Sequence, residues 1–257
     1  MSVATNLYLD YWKSMVLSAD AITETEDEVT FFVFTDRPEV AEKFASELNN
    51  VRVIAFKIPQ YGWPEATLLR YKIFDSHRDS LDSEILMHLD ADMLFVSNPW
   101  SRVRERLLRN PICLVEHPGF WRPTGASRLV LYALHPLLAY RDLRLRIKRG
   151  GIGAWECDEK SSAFVARESR KKYFCGGTWF GKQNSIIELI NELSRQVNED
   201  LEKNIIAIWH DESHINKWAV EHHHADESPV LCFDETYPQI KELKPLIIAV
   251  RKSEKAR

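Results

Sequence analysis

Two aspartates separated by one residue interrupt the most strand-like segment of the sequence. Asp90 and Asp92 lie in EILMHLDADMLFV, residues 84–96, a run whose apolar residues predict a buried strand. Side chains at i and i+2 of an extended chain point to the same side. Removing carboxylates from water is costly unless a counter-charge accompanies them, and Mn²⁺ or Mg²⁺ would supply one. A metal site is one interpretation of the pattern, but D-x-D often occurs by chance, and a solvated turn or a helix N-cap explains it as well.

A second acidic pair lies in WHDESHINKW, residues 209–218. Asp211 and Glu212 fall in the first turn of a predicted helix, where the helix dipole favours negative charge, and this is a sufficient structural reason for them. His210 and His214 are four residues apart, as metal ligands on one helical face are. The sequence offers no obvious third ligand and no H-E-x-x-H motif, so we do not predict a zinc site.

The segment YFCGGTWFG, residues 173–181, contains three glycines. Gly176, Gly177 and Gly181 would allow a backbone to approach a ligand or another strand closely. A bulge or a packing role explains them equally well. The order of residues does not match a phosphate-binding loop, because Gln183 follows Lys182 where Ser or Thr would be needed.

The composition is that of a globular protein of one large domain. Apolar residues make up 45% of the 257 residues and charged residues 28%, and the net charge of −4 gives no general attraction to nucleic acid. The four cysteines are scattered, which predicts free thiols rather than a zinc ribbon or a disulfide framework. No stretch predicts a signal peptide or a transmembrane helix, so we expect a cytoplasmic protein.

The elements that must position the acidic pairs alternate between strand and helix. Strands are predicted at 2–5, 28–36, 51–58, 84–96 and 246–250. Helices are predicted at 7–22, 38–48, 66–76, 185–198 and 208–219. The Arg-rich segment 127–153 predicts a helical excursion followed by a mobile loop. This alternation predicts an α/β domain with a largely parallel sheet.

Five strings occur in an order that resembles a known family. They are YGWPEATLLRYKIF, HLDADMLFVSNP, EHPGFW, YFCGGTWFG and WHDESHINKW. Together they resemble the retaining α-1,3-galactosyl- and N-acetylgalactosaminyltransferases of the histo-blood-group ABO type, glycosyltransferase family 6. The similarity spans about residues 3–252 and weakens at 127–153. It implies a GT-A fold, with a Rossmann-like nucleotide-sugar half at about 1–96 fused to an acceptor-binding half at about 97–257.

The resemblance also implies roles for individual residues. It assigns the UDP-sugar donor to Tyr8, Phe34, Asp36, Trp63, Arg70, Asp90, Ala91, Cys175, Gly176, Gly177, Asp211, Arg251 and Lys252. It assigns the acceptor to His117, Trp209 and Glu212, and it assigns the metal to Asp90 and Asp92.

Several of these roles can be stated more finely from the family. Tyr8 matches the ring that stacks on uracil, and Arg251 and Lys252 fall near a basic tail that covers the diphosphate. The D-x-D pair would hold Mn²⁺, or Mg²⁺, against the UDP diphosphate. Glycine at 177 would leave room for an acetamido group, which favours N-acetylgalactosamine over galactose. Glu212 matches the carboxylate beneath the anomeric carbon, the catalytic position.

The function that the resemblance implies is Mn²⁺-dependent α-1,3 transfer of N-acetylgalactosamine or galactose from a UDP-sugar to a galactose-containing oligosaccharide. A UDP-sugar hydrolase or nucleotidyltransferase with the same metal site is an alternative, and a sugar-binding module without catalysis is another. Mammalian members carry a membrane anchor and this chain shows none, so we expect a bacterial or phage-like form. Many bacterial relatives replace D-x-D by N-x-N and need no metal. The acceptor is left open, because 127–153 has no family counterpart.

Overall fold

Strands and helices alternate along the chain in the computed structural model, which describes residues 1–24, 26–62 and 64–250. The strands are β1 (Ser2–Val3), β2 (Val29–Thr35), β3 (Val51–Lys57), β4 (Ile85–Leu89), β5 (Met93–Phe95), β6 (Ile112–Glu116), β7 (Phe174–Lys182), β8 (Ala225–Glu227) and β9 (Ile247–Ala249). The helices are α1 (Tyr8–Asp20), α2 (Pro38–Ala45), α3 (Glu65–Leu68), α4 (Arg70–Asp75), α5 (Trp100–Leu107), α6 (Ala126–Leu134), α7 (Pro136–Arg149), α8 (Gln183–Glu202) and α9 (His210–Glu221). The predicted α/β class is confirmed. The division into halves near residue 96 stays a prediction.

The first sheet is parallel throughout, in the order β1-β2-β3. Its central strand, VTFFVFT, is a continuous apolar run, as expected for a strand covered on both faces. Helices α1 and α2 cover it, and Trp12 meets Phe44 edge to face at 5.9 Å between ring centroids. Packing of these two helices therefore holds β2 and its carboxyl end in place.

The second sheet is mixed, in the order β4-β7-β6-β8, and β7 runs antiparallel to both of its neighbours. The start of β7 consequently lies beside the end of β4, with Leu89 opposite Thr178. Just beyond this pair, the Asp90 N–H donates to the Gly177 carbonyl oxygen at 2.9 Å. Antiparallel pairing thus brings the acidic D-x-D segment to the glycine segment.

The prediction of one continuous strand over 84–96 is wrong. Strand β4 ends at Leu89, and β5 pairs with β9 in a separate two-stranded sheet. Asp90 to Asp92 form the turn between them, and the Asp92 carbonyl oxygen accepts a hydrogen bond from the Val250 N–H. The chain changes sheets at this point, so the two carboxylates are presented by a turn rather than by the same side of an extended strand.

The predicted helix at 66–76 is divided into α3 and α4 by Leu69, whose φ and ψ of −93° and 2° are not helical. The predicted helical excursion at 127–153 is confirmed as two helices, α6 and α7. Helix α7 ends at Gly150, which has φ +75°, a left-handed conformation that suits glycine at a helix C-terminus. Within the described residues, no helix is both long and apolar enough to cross a membrane.

The second apolar core lies between α4, α8 and the second sheet. Phe74 and Trp179 meet at 6.4 Å, and Leu189 and Leu193 of α8 are almost completely buried against this side. The four cysteines are free, as predicted, and three of them are buried: Cys113, Cys175 and Cys232.

Candidate functional site

Arg70 is a buried guanidinium that joins the two acidic pairs. It is the first residue of α4 and is 4% exposed. Its Nη1 lies 2.9 Å from Asp90 Oδ1 and 3.3 Å from Asp211 Oδ2. Burial on its own lowers the pKa of Arg70, but the two carboxylates outweigh it and the net shift is upward. The guanidinium therefore stays charged and compensates two acids whose burial would otherwise be unfavourable.

His88 supports Arg70 from β4 and was not singled out from the sequence. Its Nε2 is 2.6 Å from Arg70 Nη1, and its Nδ1 is 3.1 Å from the Met1 carbonyl oxygen. Burial and the neighbouring Arg70 charge lower the pKa of His88 to about 4, so the ring is neutral. The partners fit one tautomer, in which Nδ1–H donates to Met1 and Nε2 accepts from Arg70.

Asp211 and Glu212 are more than helix-capping residues. Asp211 is 5% exposed and points at Arg70, and Glu212 Oε2 accepts the Gly176 N–H at 2.9 Å. Burial raises the pKa of each carboxyl to about 7, against opposing effects from Arg70, from the Gly176 N–H and from the Tyr173 hydroxyl that hydrogen-bonds Glu212. A carboxyl with a pKa this close to neutral is typical of functional sites.

The glycines at 176 and 177 are required by the close approach of three carboxylates. A Cβ added at Gly176 would lie 2.7 Å from Asp211 Oδ2 and 3.0 Å from Glu212 Cβ. A Cβ added at Gly177 would lie 2.6 Å from Asp90 Oδ2. A side chain at either position would displace an acidic group. The glycines therefore serve close packing and the candidate site at the same time.

Asn216 and Tyr71 fix the start of α9 and were also missed from the sequence. Asn216 accepts the Phe174 N–H and donates to the Phe174 and Glu212 carbonyl oxygens, each at 2.8 Å. The Tyr71 hydroxyl donates to the Asp211 carbonyl oxygen at 3.3 Å. The only indication of Asn216 in the sequence was its position one helical turn after Glu212, on the side of the predicted helix that faces the sheet.

The donor set fits a divalent cation only in part. The Asp90 side chain is 36% exposed, and Asp92 is 9% exposed as a residue. Among the described residues, no three His, Cys, Asp or Glu side chains gather in a way that would hold a metal. Mg²⁺ and ions like it are commonly bound by one or two carboxylates together with substrate phosphates. The chemistry of Asp90 and Asp92 is compatible with an ion whose coordination is completed by a phosphate-bearing ligand, and the metal site stays a prediction.

His117 lies in an aromatic cluster next to this site. Its ring centroid is 4.9 Å from that of Phe120, 6.0 Å from Tyr173 and 6.3 Å from Tyr237. Burial lowers the pKa of His117 to about 4, and its Nδ1 accepts the Gly119 N–H at 2.9 Å. Tyr173 packs against His117 and hydrogen-bonds Glu212. The predicted acceptor residue His117 and the predicted catalytic residue Glu212 are therefore separated by the Tyr173 ring.

Trp209 is the residue before α9 and is 49% exposed. His210 follows it with φ 48°, a left-handed conformation that strains a non-glycine residue. The strain occurs at the turn that presents Asp211 and Glu212, and burial lowers the pKa of His210. An exposed indole beside two buried carboxylates fits contact with a sugar face.

The predicted uridine residues lie at the carboxyl end of β2. Asp36 Oδ1 accepts the Asn6 N–H at 3.2 Å, and Tyr8 begins the helix that follows Asn6. Phe34 is fully buried, with its ring 5.0 Å from Phe56, so only its backbone faces this edge. Ala91 and Cys175 are buried as well.

Three of the predicted donor residues, Trp63, Arg251 and Lys252, lie outside the described residues.

The chain is similar to known proteins over most of its length. The model of glycosyltransferase family 6 matches residues 151–257. The histo-blood group ABO system transferase 1 of Rattus norvegicus is 24% identical over 222 residues, which cover 85% of this chain and 55% of that protein. The human globoside alpha-1,3-N-acetylgalactosaminyltransferase 1 is 26% identical over 249 residues, covering 94% of this chain and 62% of that protein.

A bacterial relative matches almost end to end. The O-antigen biosynthesis glycosyltransferase WbnI of Escherichia coli is 25% identical over 244 residues, covering 94% of this chain and 90% of that protein. The chain spans only 55% to 62% of the length of the mammalian relatives named above. An α/β domain with acidic side chains gathered at its strand ends is the GT-A-like architecture that the sequence implied. Over these residues the chain is similar to glycosyltransferases of family 6.

Proposed function

We propose that this protein is a retaining glycosyltransferase that moves N-acetylgalactosamine or galactose from a UDP-sugar to a galactose-containing glycan with α-1,3 linkage. One observation carries the proposal: Glu212 and Asp211 lie against the backbone of Gly176, and Arg70 ties Asp211 to the D-x-D turn. A carboxylate for the anomeric centre and the first carboxylate of the D-x-D turn thus lie in one cluster.

Donor binding would use the D-x-D turn. Asp90 and Asp92 would hold Mn²⁺, or Mg²⁺, which when bound would stabilise the negative charge on the departing diphosphate. Arg70 does not substitute for that ion, because its Nη1 is already engaged by Asp90 and Asp211. Its role would be to orient both carboxylates before the donor arrives.

Transfer would depend on Glu212 in its ionised form. The bond from the anomeric carbon to the diphosphate oxygen breaks, the bond to the acceptor oxygen forms on the same face, and the acceptor proton leaves towards the departing diphosphate. Glu212 stabilises the positive charge that develops at the anomeric carbon, either electrostatically or by brief covalent attachment. Both routes need the carboxylate charged, and the Gly176 N–H fixes one of its oxygens.

The donor and acceptor preferences extend the proposal. N-acetylgalactosamine as the favoured donor sugar rests on the family resemblance at Gly177, since the position of a Cβ at this glycine lies 2.6 Å from Asp90 Oδ2. Trp209, the residue before α9, and His117, whose ring packs on Tyr173, would contact the acceptor. A bacterial source and a cytoplasmic location remain predictions.

The proposal can be tested by incubating the full chain with UDP-N-acetylgalactosamine or UDP-galactose, Mn²⁺ and an array of galactose-terminated glycans. Linkage analysis of the product would establish α-1,3 stereochemistry. We expect product with the wild type, loss with Glu212→Gln, loss or a strong rise in metal requirement with Asp92→Asn, and full activity with Asp79→Asn, whose side chain is 99% exposed.

Two outcomes would contradict the proposal in different ways. Release of UDP at the same rate with and without acceptor would indicate a hydrolase. Retention of glycans on the array without any UDP release would indicate a sugar-binding module. Full activity of Glu212→Gln would remove the role assigned to that carboxylate.

A further inference from the structure

Helices α6 and α7 form a hairpin that presents large apolar side chains to solvent. Seven such side chains are between 55% and 83% exposed: Leu129, Val130, Leu134, Leu137, Tyr140, Leu143 and Ile147. Scattered exposed apolar residues are ordinary on a protein surface, but a continuous group of this kind marks an interaction surface. We refer to the outer side of residues 126–149 as the hairpin face.

The exposed residues of α7 form one stripe. Leu137, Tyr140, Leu143 and Ile147 recur at spacings of three and four residues, which places them on one side of a helix with 3.6 residues per turn. The opposite side of the same helix is anchored to the protein through Asp142, which is 1% exposed. The helix is therefore amphipathic, and its apolar side has no neighbour among the residues that the structure describes.

The charge around this stripe is strongly positive. Residues 126–149 contain six Arg and Lys but only one acidic residue, although the whole chain has a net charge of −4. At 100° per residue, Arg146 lies on one border of the stripe and Lys148 on the other, and Arg144 falls just inside the second border. The single acidic residue is neutralised by a buried ion pair, so it does not reduce the positive field of the hairpin face.

That ion pair also fixes the hairpin rigidly. Arg122 Nε and Nη2 donate to the two carboxylate oxygens of Asp142 at 2.6 and 2.7 Å, and the Tyr132 hydroxyl donates to Asp142 at 2.8 Å. Arg141 Nη2 donates to the Gly119 carbonyl oxygen at 2.7 Å. The hairpin is thus attached to the loop that follows β6, which also contains His117.

We propose that the hairpin face docks on the surface of a lipid bilayer that contains anionic headgroups. An apolar stripe with basic residues along both borders matches the interface between lipid headgroups and acyl chains. Helix α7 has 14 residues and is therefore about 21 Å long, which is less than the roughly 30 Å needed to cross the hydrocarbon core, so it lies in the plane of the surface.

The positive charge of the hairpin face favours a lipid bilayer over a second copy of this chain as its binding partner. Two hairpin faces brought together would oppose one positive surface to another, and like charges in contact disfavour an interface. An anionic bilayer instead attracts each basic residue near its surface. The attachment to the His117 loop means that a docked chain would hold its proposed acceptor side close to the lipid surface.

The experiment is co-sedimentation of the full chain with vesicles of equal parts phosphatidylglycerol and phosphatidylcholine, compared with phosphatidylcholine alone. We expect binding to the anionic vesicles that weakens as salt is raised, and at least tenfold weaker binding to the neutral ones. The double variant Leu137→Asp/Ile147→Asp should bind at least about tenfold more weakly, because it places charge in the apolar stripe. Arg144→Glu/Lys148→Glu should also lose about tenfold or more, because each basic residue contributes near an anionic surface.

A matched control comes from the end of α5, where Leu108 is 79% exposed and Arg109 is exposed beside it. Leu108→Asp/Arg109→Glu should bind the vesicles like the wild type. Thermal unfolding of each variant checks that it is folded, and the wild-type comparison between the two vesicle types stands even if one variant is not.

The proposal is overturned if the wild type does not bind anionic vesicles at low salt, or if both hairpin variants bind like the control. It is also overturned if analytical ultracentrifugation shows a wild-type dimer that the Leu137→Asp/Ile147→Asp variant dissolves, without vesicle binding in either. Because no donor or glycan is present, a failure here is distinguishable from a failure of the proposed transfer.

Discussion

Replacing Glu212 by Gln should abolish transfer and at the same time stabilise the protein at alkaline pH. Gln has nearly the same shape, and its side-chain oxygen can still accept the Gly176 N–H that Glu212 Oε2 now accepts at 2.9 Å. The substitution removes the ability of the side chain to ionise. The two effects have a common origin, because the buried negative charge that the proposed reaction uses is unfavourable for folding.

The size of the stability change follows from the pKa. Burial raises the pKa of Glu212 from 4.5 to about 7, and one pKa unit corresponds to about 1.4 kcal/mol. The full shift would amount to roughly 3 kcal/mol. Because Glu212 remains partly exposed and shares its surroundings with other charges, we expect about 1–2 kcal/mol after solvent screening.

The sign of the stability change depends on whether the folded or the unfolded state binds the Glu212 proton more tightly. A carboxyl whose pKa is raised in the folded state keeps its proton there while the unfolded chain has already lost it. Its contribution to the free energy of unfolding is therefore complete below about pH 4.5 and is lost as the pH rises through about 7. The wild type loses this contribution at pH 8, whereas the Gln variant has no charge to bury.

The assay is urea unfolding at pH 5 and pH 8 with a chelator present and no donor, so that bound cations do not alter the pKa. At pH 8 the variant should be more stable by about 1–2 kcal/mol, which in a chain of this length is roughly 2–8 °C in Tm. At pH 5 the difference should be much smaller. The kcat for transfer should fall about a hundredfold to a thousandfold, as for the loss of other groups that stabilise transition-state charge.

Glu221→Gln is a matched control, since it removes a carboxylate from the other end of the same helix, where the side chain is 45% exposed. We expect it to change neither quantity appreciably. Equal stability of Glu212→Gln and wild type at pH 8, or a loss of stability there with the wild-type pH dependence retained, would refute the reasoning from burial.

Three further substitutions test the surroundings of the site. Gly177→Ala puts a Cβ where it would lie 2.6 Å from Asp90 Oδ2, so a metal titration of transfer should need about tenfold more Mn²⁺; an unchanged titration would show that this carboxylate can move freely. Arg70→Met leaves two acids without their counter-charge and should lower the free energy of unfolding by about 3–5 kcal/mol at pH 8 and by less at pH 5, where Asp211, whose pKa burial raises to about 7, is protonated. Asp142→Asn breaks the buried pair with Arg122 and should make residues 126–149 a site of rapid tryptic cleavage, a result that equal cleavage rates in variant and wild type would contradict.

The order of strands and helices could be predicted from the sequence because each of these elements depends on the local periodicity of its apolar residues. The apolar run of β2 and the amphipathic pattern of α8 appear within a few residues of their predicted limits. The break after Leu89 could not be predicted in this way. MLFV continues the apolar pattern on the other side of the aspartates, and periodicity does not reveal that β5 pairs with β9 instead of extending the second sheet.

The acidic residues of the candidate site could be named from the sequence, but their partners could not. Arg70 was expected to line the donor site, whereas its ion pairs with Asp90 and Asp211 depend on how distant segments pack. His88 looks like any residue of an apolar strand until Arg70 lies beside it. The helix dipole explained Asp211 and Glu212 adequately in the sequence, and only their burial shows that capping is not their main role.

The contact between the start of α4 and the start of α9 has a consequence for synthesis of the chain. Tyr71 and Asp211 are 140 residues apart in sequence, so at about 5 to 20 residues per second the ribosome needs roughly 7 to 28 s to supply the second partner after the first. Until β7 has been made the end of β4 lacks its neighbour, and until Asp211 has been made Arg70 has only Asp90 of its two acidic partners. A nascent chain that stalls before β7 would expose an open strand edge beside Arg70, which would lack one of its two acidic partners, and it should depend on chaperones until the last third of the protein has emerged.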